Sequence, residues 1–250
     1  MENEKPKFKF PTEVVELPSK GLLYPEGHPL SSGTVEIKYM TAREEDILTN
    51  LNYIKQGIVI DKLLQSLIVT KFEYDDLLTG DKNSLMISAR VLGYGKEYPF
   101  THAGQEVVID LTQLPEITLD ENEVTKGVNE FEYELPFSKN KVTFKLLTGK
   151  DEKSMEAEIK GMKRINKNVS ADISTRLKHQ IIAVDGDYEK KTIRDFVDNY
   201  MLAKDSSSFR AYVKTINPDV KMSFIHEGEN GDEEVTVPME VQFFWPDARI

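Results

Sequence analysis

The chain contains no cysteine and only four histidines among its 250 residues. Without cysteine it has no disulfide, no thiol nucleophile and no thiolate metal site, so any metal would need histidine or carboxylate ligands. It also lacks a run of the roughly 18 apolar residues that a membrane span requires. The first residues, Met-Glu-Asn-Glu-Lys-Pro, contain no apolar signal core, which favours a cytosolic origin.

Positive charge is in deficit as well. The chain carries 32 lysines and arginines against 43 aspartates and glutamates, a formal net charge of −11. This charge weakens long-range attraction to nucleic acid and to anionic membranes. A hydrophobic content of 39% is enough for a real core in one large or two small domains. The composition therefore favours a folded, soluble protein whose partners are other proteins, with no nucleic acid and no membrane among them.

Motifs that carry catalytic chemistry are missing too. The sequence has no HExxH helix, no GxSxG elbow and no Walker loop, and its histidines are dispersed. Asp185-Gly-Asp187 is similar to the start of a calcium loop, but Phe196 occupies the twelfth position, where such a loop needs an acid. We therefore predict a turn there, and a non-enzymatic protein with no cofactor, no metal and no small-molecule substrate.

Segments of the first half recur, in the same order, in the second half. The pairs lie 107 (142 − 35), 124 (202 − 78) and 128 (234 − 106) residues apart. They are Val35-Glu-Ile-Lys38-Tyr-Met-Thr41 with Val142-Thr-Phe-Lys145-Leu-Leu-Thr148, Leu78-Thr-Gly-Asp81 with Leu202-Ala-Lys-Asp205, and Glu106-Val107-Val-Ile109 with Glu234-Val235-Thr-Val237. Each match alone is weak, but three in register predict an internal duplication.

The local patterns of both halves predict similar elements. Alternating apolar residues at 35–39 predict a strand, and Thr41 with Glu44 has the spacing of a capping box that starts a helix. Thr148 and Asp151 repeat that box with a shorter acid. Apolar residues at helical spacing predict a second helix in each half: Leu63, Leu64, Leu67 and Ile68, and Leu177, Ile181 and Ile182.

A third helix and a hairpin complete each half. Asp81 and Asp205 precede the segments 84–92 and 208–216, so we predict that each caps a helix, in preference to binding metal. Turn residues between apolar runs then predict hairpins near 98–111, 222–241 and 131–146. The prediction is an α+β protein of two similar lobes, each a strand, helices and then a β-hairpin, with an extended N-terminal arm. Its boundaries are 1–33 for the arm, 34–114 for the first lobe, 115–130 for an acidic connector and 131–250 for the second lobe.

Two segments are candidates for contact with partners. The arm has too many prolines and glycines for a long helix or a central strand, yet it is too apolar for a free linker. We expect it to dock on its own chain in preference to a neighbouring subunit. The C-terminal segment holds the single tryptophan, and its aromatic residues indicate either core anchoring or an interface. The candidate partner-binding residues are Leu17, Leu22, Leu23, Tyr24, Leu30, Phe243, Phe244 and Trp245.

Three segments carry a resemblance to a known family. They are Leu17-Pro-Ser-Lys-Gly21-Leu-Leu-Tyr24-Pro25, the stretch from Asp81 to Arg90-Val-Leu-Gly-Tyr94-Gly95, and Phe243-Phe244-Trp245-Pro246. Together they resemble the baseplate hub assembly proteins of contractile-tailed, T-even-like bacteriophages, over nearly the whole chain. Many proteins of that family carry Cys-x-x-Cys knuckles in two hairpins, whereas this chain has Thr101-His102-Ala103-Gly104 and His226-Glu227-Gly228-Glu229. This departure implies that ordinary hairpin packing replaces a metal staple.

The resemblance implies a role in building the phage tail baseplate through contacts with other tail or baseplate proteins. The chain would act in the host cytoplasm during assembly, and as a resident hub subunit it would also be found in the virion. The alternative is a soluble assembly chaperone that is absent from the mature virion. A third hypothesis, from a different class, is a metal-binding enzyme that uses the acidic clusters with His102 or His226.

Overall fold

Small antiparallel sheets, in place of one large sheet, organise the described chain. A computed structural model describes residues 10–122, 124–165, 171–228, 231–238 and 241–244. Within these ranges the fold is mixed α+β, as the sequence predicts, and strands pair only with antiparallel neighbours.

The elements of the first half follow the predicted order. They are β1 (Thr12–Glu16), β2 (Thr34–Lys38), α1 (Ala42–Leu48), α2 (Leu51–Gln56), α3 (Val59–Leu67), α4 (Thr79–Tyr94), β3 (Glu97–His102), β4 (Gln105–Asp110) and β5 (Glu116–Ile117). The predicted capping box at Thr41 is confirmed. The Thr41 amide donates to Glu44 Oε2 at 3.0 Å, and the Glu44 amide is paired with the Thr41 side chain. The first predicted hairpin is confirmed as β3 and β4, which turn through Ala103 and Gly104.

The second half also has a strand pair, helices and a hairpin, but one strand lies between its helices and another precedes its hairpin. Its elements are β6 (Phe131–Glu134), β7 (Lys141–Phe144), α5 (Gly149–Ile165), α6 (Asp172–Gln180), β8 (Ile181–Val184), α7 (Lys190–Asp195), a π-helical turn (Phe196–Tyr200), α8 (Ala203–Ile216), β9 (Asp219–Val220), β10 (Ser223–Gly228) and β11 (Gly231–Thr236). The predicted helix that would include Ile181 and Ile182 is wrong at its end. Both residues belong to β8, which pairs with β7, because pairing and burial of this branched apolar run outweigh its helical spacing.

The predicted helix caps at Asp81 and Asp205 are also wrong. Helices α4 and α8 begin one residue after Leu78 and Leu202, so each aspartate is the third residue of its helix. Neither Leu78 nor Leu202 makes a side-chain cap hydrogen bond. The two carboxylates accept hydrogen bonds from other parts of the chain instead.

Residues 12–33 pack on their own chain, in agreement with the expected docking of the N-terminal arm. Strand β1 pairs with β2 along its length, from Thr12 opposite Lys38 to Glu16 opposite Thr34. The segment 115–130 is likewise packed against the protein: β5 pairs with β9, and the Gly127 amide donates to the Leu22 carbonyl at 2.7 Å. Buried side chains from both halves form one continuous cluster, from Val15 to Phe244.

A close backbone contact joins the two halves at Gly80. A Cβ atom at this position would overlap the carbonyl oxygen of Pro218, which immediately precedes β9. Any side chain at position 80 would therefore push α4 away from β9.

We predict opposite effects for two glycine-to-alanine substitutions within helices. Gly80→Ala should destabilise the protein by several kcal/mol, because backbone and not a flexible side chain would have to move. Gly161→Ala in α5, where a Cβ meets nothing within 4 Å, should raise stability by about 0.5–1 kcal/mol through helix propensity. Urea unfolding of both variants measures the difference, and a neutral Gly80→Ala would contradict the close contact.

Candidate functional site

A buried carboxylate at Asp81 connects the N-terminal segment to α4. Its Oδ1 accepts from the Ser19 amide at 3.0 Å, while its Oδ2 accepts from the Ser19 hydroxyl at 2.7 Å and the Tyr24 hydroxyl at 2.6 Å. The Tyr24 hydroxyl in turn accepts from the Leu78 amide at 3.0 Å, which satisfies a free N–H at the start of α4. We call Asp81, Ser19, Tyr24 and the Leu78 amide the Asp81 network.

Burial controls the protonation of this network. Asp81 and Ser19 are completely shielded from solvent, and this burial raises the pKa of Asp81 even though hydrogen bonds from Tyr24 and Ser19 lower it. Burial and the neighbouring Asp81 carboxylate also raise the pKa of Tyr24, so the phenol keeps its proton and acts as a donor. Because the network is closed to solvent, its role is structural: it holds the N-terminal segment against α4.

Asp205 makes the corresponding contact in the second half. Its Oδ1 accepts from the Phe137 amide at 2.8 Å and its Oδ2 accepts from the Ser138 amide at 3.0 Å. Burial raises the pKa of Asp205, but the backbone and side-chain hydrogen bonds of Phe137 and Ser138 outweigh it, and the pKa falls below its usual value. In both halves, an aspartate in the first turn of a helix holds the turn that follows a Glu-Leu-Pro sequence, at 16–18 and 134–136.

A second pair of matching sites lies where β2 and β7 lead into helices. Lys38 Nζ donates to Glu44 Oε1 at 2.9 Å, and Lys145 Nζ donates to Asp151 Oδ1 at 2.7 Å. The Thr148 amide donates to Asp151 Oδ2 at 3.1 Å, so the shorter acid makes the same contact as Glu44. Burial raises the pKa of Glu44, but hydrogen bonds from Ser66, Thr41 and Lys38 outweigh it and lower the pKa to about 2.

Arg90 is a buried cation within the second resembling segment. Only 1% of it is exposed, and its guanidinium donates to the carbonyls of Gly95 at 2.8 Å and Glu97 at 3.3 Å. It also lies 5.4 Å from the Tyr94 ring and 5.7 Å from the Tyr98 ring. Carbonyl dipoles and ring faces thus stabilise this charge, although burial lowers the pKa of Arg90. The contacts hold the C-terminal end of α4 against β3.

The hairpin of β3 and β4 packs against the hairpin of β10 and β11. The rings of Phe100 and Phe224 meet edge to face with centroids 6.3 Å apart, and the Tyr98 hydroxyl donates to the Pro238 carbonyl at 3.1 Å. His102 Nε2 lies 2.9 Å from Glu233 Oε1, and Glu233 is opposite His226 in the register of β10 and β11.

A highly charged concavity lies between α5, α6, β8 and α7. Its volume is about 400 Å³, and its charged lining comprises Lys145, Asp151, Glu158, Lys178, His179, Lys190 and Arg194. Several of these groups are engaged already, because His179 pairs with Glu158 at 2.9 Å and Lys178 with Asp198 at 2.6 Å. Among the described residues, no three histidine or acidic side chains group closely enough to hold a metal ion.

The predicted partner-binding residues lie in the interior wherever the structure describes them. Leu17, Leu22, Leu23, Tyr24, Leu30, Phe243 and Phe244 are all buried, between 0% and 8% exposed. These seven pack within the chain's own core, and the N-terminal segment docks on its own chain. A partner-binding role for them stays a prediction. Trp245 lies outside the described residues.

Sequence reasoning missed the partners of Asp81 and Asp205. One available signal was the Glu-Leu-Pro sequence that occurs at 16–18 and again at 134–136. The aspartates lie 65 (81 − 16) and 71 (205 − 134) residues beyond these sequences. No local pattern predicts a hydrogen bond over such a separation.

Comparison with known proteins does not identify a relative of this chain. The chain matches no protein-family model, no curated protein and no solved structure. In the part of the chain that the structure describes, no helix combines the length and the apolar character needed to cross a membrane. The protein is thus of mixed α+β class, and its buried acidic groups form hydrogen bonds within the chain.

We predict that the Asp81 network is essential for stability. Asp81→Ala would leave the Ser19 amide, the Ser19 hydroxyl and the Tyr24 hydroxyl buried without their acceptor, at a cost of about 3–5 kcal/mol. Tyr24→Phe should cost about 1–3 kcal/mol, because the Leu78 amide loses its acceptor. Glu134→Ala is the control: it removes an exposed ion pair with Lys139 and should cost under about 1 kcal/mol. Equal unfolding free energies for Asp81→Ala and Glu134→Ala would contradict this role.

We also predict a pH-dependent contribution from Glu44. Its pKa is lowered on folding from 4.5 to about 2, so its stabilisation is complete above pH 4.5 and is lost as the pH falls towards 2. Glu44→Gln should lower the unfolding free energy by about 3 kcal/mol at neutral pH, and this difference should shrink below pH 4.5. Denaturant titrations across this range measure it, with exposed Glu156→Gln as the control. A difference that is constant with pH would refute the assignment.

Proposed function

We propose that this chain is a non-enzymatic phage tail baseplate protein, a hub component or an assembly factor, that docks on other tail proteins. The observation that carries the proposal is the convergence of the three resembling segments around α4. Segments that are far apart in the sequence support one another as a family signature when they form one packing unit.

The convergence has two parts, one at each end of α4. At the N-terminal end, the Asp81 network joins the segment Leu17–Pro25 to the helix. At the C-terminal end, Arg90 contacts the Tyr98 ring, and Tyr98 packs edge to face on Phe243 with centroids 5.0 Å apart. The described residues that carry the resemblance therefore stabilise one shared core, which fits a family defined by its scaffold and not by a catalytic motif.

We further infer that the two halves arose by internal duplication. The matching contacts support this inference beyond the sequence echoes. Asp81 and Asp205 each hold the turn after Glu-Leu-Pro, and Glu44 and Asp151 each combine a threonine cap with a lysine at the end of, or just after, the preceding strand. Convergence on a common helix cap explains one such pair more readily than two pairs in the same order.

A docking role fits the distribution of polar and apolar groups better than a catalytic role does. The buried acids Asp81, Asp205 and Glu44 are used in contacts within the chain. Large apolar side chains are exposed elsewhere, among them Tyr200 at 65% and Leu202 at 50%. Exposed apolar groups that cluster on a surface are typical of contact with another protein. The partners we propose are other tail or baseplate proteins, met in the host cytoplasm during assembly.

We predict that the chain is present at a fixed, small copy number in finished phage particles. Quantitative mass spectrometry of purified particles, tail intermediates and infected-cell lysate tests this directly. Abundance in tail intermediates together with absence from particles would identify an assembly chaperone instead. Absence from every tail intermediate and from particles would refute the proposed function. A stoichiometric metal in the purified protein would favour the hypothesis of a metal-binding enzyme.

A further inference from the structure

The junction between the two halves is an antiparallel bridge at the start of α4. Leu78 pairs with Thr148, and two backbone hydrogen bonds close the bridge. The Thr79 amide donates to the Leu147 carbonyl at 3.1 Å, and the Gly149 amide donates to the Leu77 carbonyl at 2.9 Å. The side chains at this junction are covered: Leu77, Leu78 and Leu147 are between 1% and 4% exposed.

Further contacts surround the bridge. Lys153 Nζ pairs with Asp75 Oδ2 at 2.7 Å. A Cβ atom on Gly149 would lie 3.3 Å from the Cα and carbonyl oxygen of Asp75, so the start of α5 approaches closely. The second half thus presents the sequence Leu147-Thr148-Gly149 to the start of α4 in the first half.

The second half has the same structure at the start of α8, but there it is uncovered. Leu78 has φ −62° and ψ 146°, and Leu202 has φ −63° and ψ 144°. Leu202 is nevertheless 50% exposed, whereas Leu78 is 2% exposed. Among the described residues nothing hydrogen-bonds to the Met201 carbonyl or to the Ala203 amide, the counterparts of the Leu77 carbonyl and the Thr79 amide.

The first half presents the complementary segment, which is partly exposed. Met40-Thr41-Ala42 corresponds to Leu147-Thr148-Gly149, because Lys38 and Glu44 hold this turn as Lys145 and Asp151 hold the other. Met40 is half-buried and Ala42 is exposed. Within the described part of the chain, the Met40 carbonyl and the Ala42 amide have no hydrogen-bond partner.

We propose that a second copy of this chain covers the start of α8. Its Met40-Thr41-Ala42 segment binds at Leu202 and forms the antiparallel bridge that Thr148 forms at Leu78 within one chain. The Ala203 amide then donates to the Met40 carbonyl of the second copy, and the Ala42 amide of that copy donates to the Met201 carbonyl. This interface is head to tail, so each copy uses one face and leaves the other free.

The residues that differ between the two junctions indicate that the contact between copies is weaker than the bridge of Leu78 with Thr148 within one chain. Ala42 replaces Gly149, and its Cβ requires a small adjustment at the close approach. Asp46 stands in place of Lys153 and Asn199 in place of Asp75, so an amide–carboxylate contact replaces the ion pair. Joining two molecules also costs translational and rotational freedom, which the internal junction avoids. We therefore expect reversible association that depends on concentration.

Sedimentation velocity on the purified full-length chain, over a wide range of micromolar concentrations, tests the proposal. Wild type should form dimers and longer oligomers as the concentration rises. Leu202→Glu and Ala42→Glu should each be monomeric, whereas Val108→Glu, which places the same charge on an exposed residue of β4, should associate like wild type. Unchanged thermal melts of all three variants would show that they fold.

Mixing gives the most specific result. Leu202→Glu retains an intact Met40-Thr41-Ala42 segment, and Ala42→Glu retains an intact Leu202 face. An equimolar mixture should therefore form a one-to-one dimer that cannot grow. An interface in which each face binds the same face of another copy would not give this result.

A gain of affinity completes the test. The double substitution Asp46→Lys with Asn199→Asp restores the charges of Lys153 and Asp75 across the interface. Because that pair is partly exposed, we expect association about two- to five-fold tighter at low salt, and the gain should disappear at high salt. A wild-type chain that stays monomeric throughout, association that survives Leu202→Glu, or a mixture that forms no dimer would overturn the proposal. These measurements use no tail protein, so their failure leaves the proposed function to be judged separately by the composition of phage particles.

Discussion

The hydrogen bonds to the Asp81 carboxylate are the interaction on which the rest of the described structure depends. A carboxylate without solvent is costly unless several donors surround it, and here all three donors come from the N-terminal segment. These donors from the segment 17–24 are what allow the carboxylate to remain buried beneath that segment. Strand β1 continues from this segment and pairs with β2, so the same hydrogen bonds determine where the first small sheet lies.

The Asp205 contact gives the second half a similar organisation with a different result at its surface. Phe137 occupies the position of Ser19 and offers only its amide, so the Ser19 hydroxyl has no counterpart at the same position. Phe137 is 53% exposed, whereas Ser19 is completely buried. One half thus closes its N-terminal segment over the helix, and the other leaves apolar groups at the start of α8 open to solvent. This asymmetry is where we place contact with another protein.

The sequence predicted the parts of the fold that depend on neighbours within a few residues. The Thr41 capping box, the alternation of β2 and the turn at Ala103 and Gly104 are all local patterns, and the structure has each of them. The end of α6 was mispredicted because Ile181 and Ile182 fit a helix by spacing and a strand by composition. Only the pairing of β8 with β7 decides between the two.

The candidate site divides in the same way. The sequence identified Tyr24 and Asp81 as notable residues, but it assigned Tyr24 to a partner and Asp81 to a helix cap. The two residues meet in one buried network although they are 57 residues apart in the sequence. Periodicity and cap motifs predict contacts only between residues that are close in sequence. Composition, caps and alternation by themselves determined the α+β class and the order of most elements, because these depend on short-range sterics and hydrogen bonding. Which apolar residues became core and which stayed exposed was decided by the tertiary structure alone, because burial depends on how distant segments pack together.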